Sequence, residues 1–165
     1  MRCCAVDQND TCIAVGCKDG TLRFVDLKGW KQLKLLKFAK EWISDLKFSP
    51  NNDILAIGSH DDTIYTMTFP GLKLVGRMKK HSSFITHLDF SVDGSFLHST
   101  CGAYELLFWD VRNKKQMTSG ATALKDEKWA TWTTVLGWPV QGIFRANWDG
   151  SDVNMVDRSN MVIFS

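Results

Sequence analysis

Short apolar runs alternate along the chain with clusters of turn-forming residues, and the alternation recurs. "ISDLKFSPNNDILAIGSHDDTIYTMTF" (43–69) aligns without gaps on "ITHLDFSVDGSFLHSTCGAYELLFWDV" (85–111) at an offset of 42, pairing Ile43 with Ile85, Leu46 with Leu88, Phe48 with Phe90, Ser49 with Ser91 and Leu55 with Leu97. The same offset carries "CIAVGCKDGTLRFVDL" (12–27) onto "ILAIGSHDDTIYTMTF", with Ala14 on Ala56, Gly16 on Gly58, Asp19 on Asp61 and Thr21 on Thr63. Runs of period two, or of continuous apolar residues, bounded by "SPNND", "SVDG", "KDG" and "HDD" describe antiparallel strands with tight turns. In the third unit the pattern predicts strands over 85–91, 96–102 and 105–111, and a weaker one near 114–120.

Four strands in about 42 residues form the blade of a β-propeller. The expected fold is all-β: a propeller segment of about three four-stranded antiparallel blades plus the first strand of another. The blades are read over 1–42, 43–84 and 85–128, and 129–165 as a connecting segment with the start of a truncated blade. Because propellers close with about four to eight blades, the chain is expected to be a fragment of a longer protein.

Within "KGWKQLKLLKFAKEW" a lysine stands at every third position: Lys28, Lys31, Lys34, Lys37 and Lys40. On a helix, at about 100° per residue, these would spread around most of the circumference, and so would Trp30, Leu33, Leu35, Leu36 and Phe38. In the repeat frame Lys31 falls on Lys73 and Lys115, and Lys37 on Lys79. The stretch is therefore an outermost strand and the connection to the next blade. Its lysines either protect an exposed sheet edge or form a patch for an acidic protein partner.

With 44% apolar and 12% aromatic residues the chain has the material for a packed core, and a formal charge of +2 is too mild for a nucleic-acid binder. No apolar run approaches the ~18 residues of a membrane span and "MRCCAVDQND" lacks a secretory centre, so the expected compartment is the cytosol. Cys3, Cys4, Cys12, Cys17 and Cys101 form an odd set without CxxC spacing, which argues against zinc or a disulfide framework. "SHD" (59–61) is read as a strand end running into a turn, not a catalytic triad. His87 and His98 could hold a metal only if they faced each other, and no third ligand is implied. No phosphate-cradling glycine loop occurs, so no enzyme and no cofactor are expected. Trp129, Trp132, Trp138 and Trp148 crowd together with only Arg145 between them, a composition suited to packing rather than base stacking.

"LLFWDV" (106–111) resembles the WD40 repeat family, with Trp109 and Asp110 as its dipeptide. That resemblance implies a hydrogen-bonded set in each blade. His81 and Ser99 or Thr100 match two of its positions, but Ala103 stands where an aspartate is expected. Asp61 and Asp19 keep the turn aspartate, while Met67 and Val25 replace the tryptophan. These blades are thus expected to be held more by strand packing than by polar bonds. "EWISDLKFSP", "GAYELLFWDV", "KWATWTTVLGWPVQGIF" and "DGSDVN" together resemble the echinoderm microtubule-associated protein-like family, most specifically at 135–143; "FRANW" (144–148) departs from its pattern. The resemblance implies a non-catalytic, cytoskeletal interaction module that binds tubulin or microtubules, with the five lysines as candidate contacts. The alternative is a WD40 scaffold that recruits other proteins through loops such as 50–53 and 92–95. Neither nucleic acid nor membrane is an expected partner.

Overall fold

In the computed structural model, residues 1–144, 147 and 150–158 are described. Three four-stranded antiparallel sheets follow one another. The first comprises β1 (Cys3–Val6), β2 (Cys12–Gly16), β3 (Thr21–Asp26) and β4 (Gln32–Lys37). The second comprises β5 (Ile43–Phe48), β6 (Ile54–Ser59), β7 (Ile64–Thr68) and β8 (Leu74–Met78). The third comprises β9 (Ile85–Phe90), β10 (Phe96–Cys101), β11 (Leu106–Asp110) and β12 (Lys115–Gln116). Each sheet keeps its strands in chain order, and the first strands β1, β5 and β9 neighbour one another, so the sheets stack as blades.

The repeat is written into the backbone as well as the side chains. Left-handed residues recur at the 42-residue offset in all three turns of each blade. The first turn has Asp10, Asn52 and Gly94 (φ 54°, 60° and 75°); the second has Gly20, Asp62 and Tyr104 (77°, 62° and 60°); the third has Trp30, Leu72 and Lys114 (52°, 50° and 56°). Tight connections between twisted antiparallel strands require such a residue. The end of the first strand follows the same rule. Asp7, Ser49 and Ser91 are buried, and each accepts a hydrogen bond from the backbone N–H five residues on, at 2.6 Å from Cys12, 3.0 Å from Ile54 and 2.9 Å from Phe96.

The core lies between blades. Ala14, Leu22 and Phe24 of the first sheet pack against Leu46, Phe48, Leu55, Ile57 and Met67 of the second. Ala56, Ile64 and Met78 then pack against Leu88, Phe90, Leu97 and Trp109 of the third. Backbones come close enough that a Cβ on Gly16 would lie 2.6 Å from Ile43 Cγ2, and one on Gly58 2.7 Å from Ile85 Cγ2. Among the described residues no sheet lies over the corresponding outer face of the first blade. Val6 is 43% exposed where Phe48 and Phe90 are 6% and 1%. Cys4, Ile13, Val15 and Val25 on that face are likewise exposed or half-buried, whereas their counterparts Leu46, Leu55, Ile57 and Met67 are buried.

After β12 the pattern changes. The fourth strand spans two residues rather than the expected 114–120, because the chain turns into a short helix, α1 (Gly120–Ala123), beside β11. Residues 128–132 then return to the free edge of β9. Val92 N–H donates to Lys128 O (2.8 Å), Ala130 N–H donates to Phe90 O (2.8 Å), and the Asp89 carboxylate accepts from the backbone N–H groups of Thr131 and Trp132. Trp129 stacks on His98 at 3.7 Å between centroids, and a 3-10 helix (Trp138–Ile143) follows. The expected start of a further blade, "VNMVDRS" (153–159), has no ladder partner over its described residues 153–158. The closing "NMVIFS" and most of "FRANW", including Arg145 and Trp148, lie outside them.

Candidate interaction surface

Lys28, Lys31, Lys34, Lys37 and Lys40 are all exposed on β4 and its flanks. Among the described residues β4 pairs only with β3, as the outermost strand of its blade. The pleat divides the set: Lys34 reaches the second blade, where Nζ donates to Leu72 O (3.4 Å), while Lys37 points to the other face of the strand. Lys31 and Lys73 stand immediately before β4 and β8, and Lys115 begins β12. Trp30 (74% exposed), Leu33 (56%) and Leu35 (48%) interleave with the lysines. The edge is therefore both basic and apolar, a combination that sheet protection alone does not require.

The polar network of the third blade is more complete than the sequence implied. Trp109 Nε1–H donates to Ser99 Oγ (2.7 Å), Ser99 Oγ lies 2.6 Å from His81 Nε2, and His81 Nδ1 lies 3.3 Å from Glu105 Oε2. An ionised carboxylate only accepts, so Nδ1 carries the proton, Nε2 accepts from Ser99, and the chain of donors has one direction. Glu105 also accepts from Ser82 N–H and Ser82 Oγ–H (both 2.9 Å) and from the Cys101 thiol (3.2 Å). Those bonds, led by that of the Ser82 amide, hold its carboxyl down at about 2. Burial keeps His81 below its ordinary value despite the neighbouring charge. Glu105 thus does what Ala103 cannot, so in this blade the polar network is fuller than the missing turn aspartate led the sequence to imply. The acid two residues beyond the turn position was the overlooked signal. In the second blade Asp61 accepts from Tyr65 Oη–H (2.7 Å) and Lys40 N–H (3.0 Å).

His81, Cys101 and Glu105 place three ligand atoms within 4.8 Å of one another. A metal there would have to displace the Nδ1 proton and break the line to Trp109, and burial raises the pKa of the Cys101 thiol. His87 and His98 are each engaged separately. His87 Nε2 lies 3.1 Å from the Asn154 carbonyl and Nδ1 lies 3.4 Å from Thr100 Oγ1, whereas His98 lies under Trp129. Ser59 and His60 do not meet as nucleophile and base: Ser59 Oγ accepts from Asp61 N–H (3.3 Å), and the His60 ring is stacked between Trp42 (4.8 Å) and Phe84 (4.5 Å). Of the clustered tryptophans, Trp129 is buried, Trp132 half-buried and Trp138 exposed. Loop 50–53 is partly committed to the first blade, since Asn52 Nδ2 donates to Asp7 Oδ2 (3.1 Å) and Asn52 Oδ1 accepts from Gln8 N–H (3.2 Å).

A second surface, which the sequence reading missed, lies across the blade tops. Arg2 Cζ lies 4.5 Å, and Lys18 Nζ 4.9 Å, from the Trp42 ring centroid, and the row continues through His60 to Phe84. Trp42 and Phe84 are 42 residues apart, each directly before a paired isoleucine, and that was the legible sign. Beside the row lies a groove of about 370 Å³.

Similarity to known proteins agrees with this architecture. The solved structure of U3-55K superposes with a TM-score of 0.67 over 70% of this chain and 37% of that one, at 17% identity, a likeness of fold. A ciliary WD repeat-containing protein, ctxp80, of Euplotoides octocarinatus is 42% identical over 153 residues, covering 90% of this chain and 21% of the relative. The 77 kDa echinoderm microtubule-associated protein of Lytechinus variegatus is 49% identical over 69 residues, covering 42% of this chain and 10% of the relative. The chain thus spans about a fifth or less of the length of these curated relatives. The model of the echinoderm microtubule-associated protein second beta-propeller matches residues 1–163. With blades, turns and the segment over 135–143 all inside that match, the chain belongs to the echinoderm microtubule-associated protein family.

Proposed function

We propose that this chain is a non-catalytic interaction module of the cytoskeleton that binds tubulin or microtubules through the basic outer edge of its first blade. The observation that carries the reading is the joint exposure of Lys28, Lys31, Lys34, Lys37 and Lys40 with Trp30, Leu33 and Leu35 on one outermost strand and its flanks. Apolar side chains supply contact area, and the lysines supply attraction to an acidic surface that weakens as salt rises. The family's name, and those of relatives described as microtubule-associated, support the choice of partner. The test is co-sedimentation of the chain with microtubules across a salt series. Charge reversal of Lys31, Lys34 and Lys37 together is expected to lower the pelleted fraction severalfold at low salt. Unchanged pelleting of that variant, or binding indifferent to salt, overturns the reading. It would favour instead a scaffold that recruits other proteins through its blade loops.

A further inference from the structure

The row of rings across the blade tops is built by a rule. Residues just before a first strand, Trp42 and Phe84, alternate with residues just after a second strand, Lys18, His60 and Gly102, the last three again 42 apart. Phe84 lies so close to Gly102 that a Cβ there would be 2.5 Å from Cζ of the ring. The row therefore runs unbroken from the first blade to the third, and Phe84 remains 39% exposed.

The polar groups along and beside the groove differ in kind from one end to the other. Arg2 and Lys18 each lie over the Trp42 ring, and neither has a carboxylate partner among the described residues. A guanidinium held over a ring keeps in-plane N–H donors that match a carboxylate. On the groove wall the Ser44 hydroxyl is buried without a hydrogen bond. Its neighbours are engaged: Thr86 Oγ1 lies 2.8 Å from Thr100 Oγ1, which in turn lies 3.4 Å from His87 Nδ1. At the far end the carboxylate that lines the groove, Asp152, already accepts from the Tyr104 hydroxyl.

We propose that this groove binds an extended acidic peptide segment of a partner protein, with one carboxylate held by Arg2 beside Lys18, a backbone group bonded to Ser44, and an apolar side chain laid against Phe84. The opposite charge at the two ends sets the direction of the segment, because Asp152 repels acid at the third-blade end. The same asymmetry disfavours a continuous polyanion such as nucleic acid. This site is separate from the lysine edge and does not depend on it.

The test is a nitrogen-15 NMR titration of the full chain, with the Trp42 indole N–H assigned through Trp42→Phe. The probes are three blocked tetrapeptides, acetyl-Gly-Glu-Leu-Gly-amide and its glutamine and phosphoserine counterparts. The glutamate peptide is expected to shift the Trp42 indole and the amides of residues 43–44 and 84–86. The glutamine peptide is expected to bind about fivefold more weakly, and Arg2→Gln to impose the same loss on the glutamate peptide, as for one partly exposed ion pair. Ser44→Ala lowers affinity without abolishing it. Shifts confined to Trp30, equal binding of glutamate and glutamine peptides, a preference for phosphoserine of about tenfold or more, or no shift at millimolar peptide would each overturn the proposal. Reversal of Lys31, Lys34 and Lys37 serves as the control that leaves this titration unchanged, so failure at microtubules and failure here are distinguishable.

Discussion

Replacement of Glu105 by alanine examines the one place where a side chain out of its expected position holds a blade together. The carboxylate is about one-third exposed but its partner His81 is 1% exposed, so the variant leaves a buried imidazole N–H without an acceptor. An orphaned buried donor costs about 1–3 kcal/mol, while the two Ser82 bonds, nearer solvent, add about 0.5 kcal/mol each. The expected loss is about 2–4 kcal/mol, or about 4–16 °C in Tm for a chain of this size. Glu105→Gln keeps an acceptor at the site and is expected to lose about 1 kcal/mol. Urea unfolding followed by tryptophan fluorescence measures both, and the Trp109 indole resonance reports whether the line through Ser99 persists. A pH series supplies an independent arm. The folded carboxyl lies at about 2 against an ordinary 4.5, so its contribution is complete above 4.5 and is lost as pH falls toward 2. The difference between wild type and Glu105→Gln should therefore shrink through that window. A cost for Glu105→Ala below about 0.5 kcal/mol, or additivity with Ser99→Ala in a double-mutant cycle, would refute the network and leave the blade held mainly by strand packing.

Equivalent positions on successive blades should respond unequally: Ile57→Ala costs about 2–4 kcal/mol at its buried site, whereas Val15→Ala on the open face costs under about 1 kcal/mol, measured in the same denaturant assay. Trp30→Gly relieves a left-handed, exposed residue and is expected to raise stability by about 1 kcal/mol, seen as a higher urea midpoint. Thiol labelling should begin at exposed Cys4, while Cys12 and Cys101 are buried and burial pushes Cys3 up to about 12, an order that peptide mapping after brief alkylation would reveal. Burial under Trp129 drops His98 to about 3. The unfolded chain then takes up that proton first as pH falls below 6.5, so stability declines between 6.5 and 3. His98→Phe should flatten that slope in pH-dependent melts, and an unchanged slope would show that other groups set it.

The sequence by itself determined the elements and their repetition. Strand and turn are local: period-two or continuous apolar runs choose a strand, turn residues end it, and the 42-residue offset recurs in chemistry such as Gly16 with Gly58 and Ser49 with Ser91. Even the left-handed turns follow that offset, because each hairpin demands one whatever its side chain, as Leu72 and Lys114 demonstrate. The position of the lysines on an outer strand was legible for the same reason. What only the tertiary structure decided depends on groups far apart in the chain or on which faces meet. Glu105 replaces a turn acid because the ends of β10 and β11 aim it at His81, 24 residues away. Fourth-strand pairing is cut to two residues where the chain leaves for α1, and the segment at 128–132 bonds to β9 rather than starting a regular blade. The row from Arg2 through Trp42 and His60 to Phe84 exists only because stacking brings loops of three blades together. A pleated strand records which residues share a face, but it carries no record of what lies across that face. Burial, pKa and the open groove were therefore settled only when the blades packed.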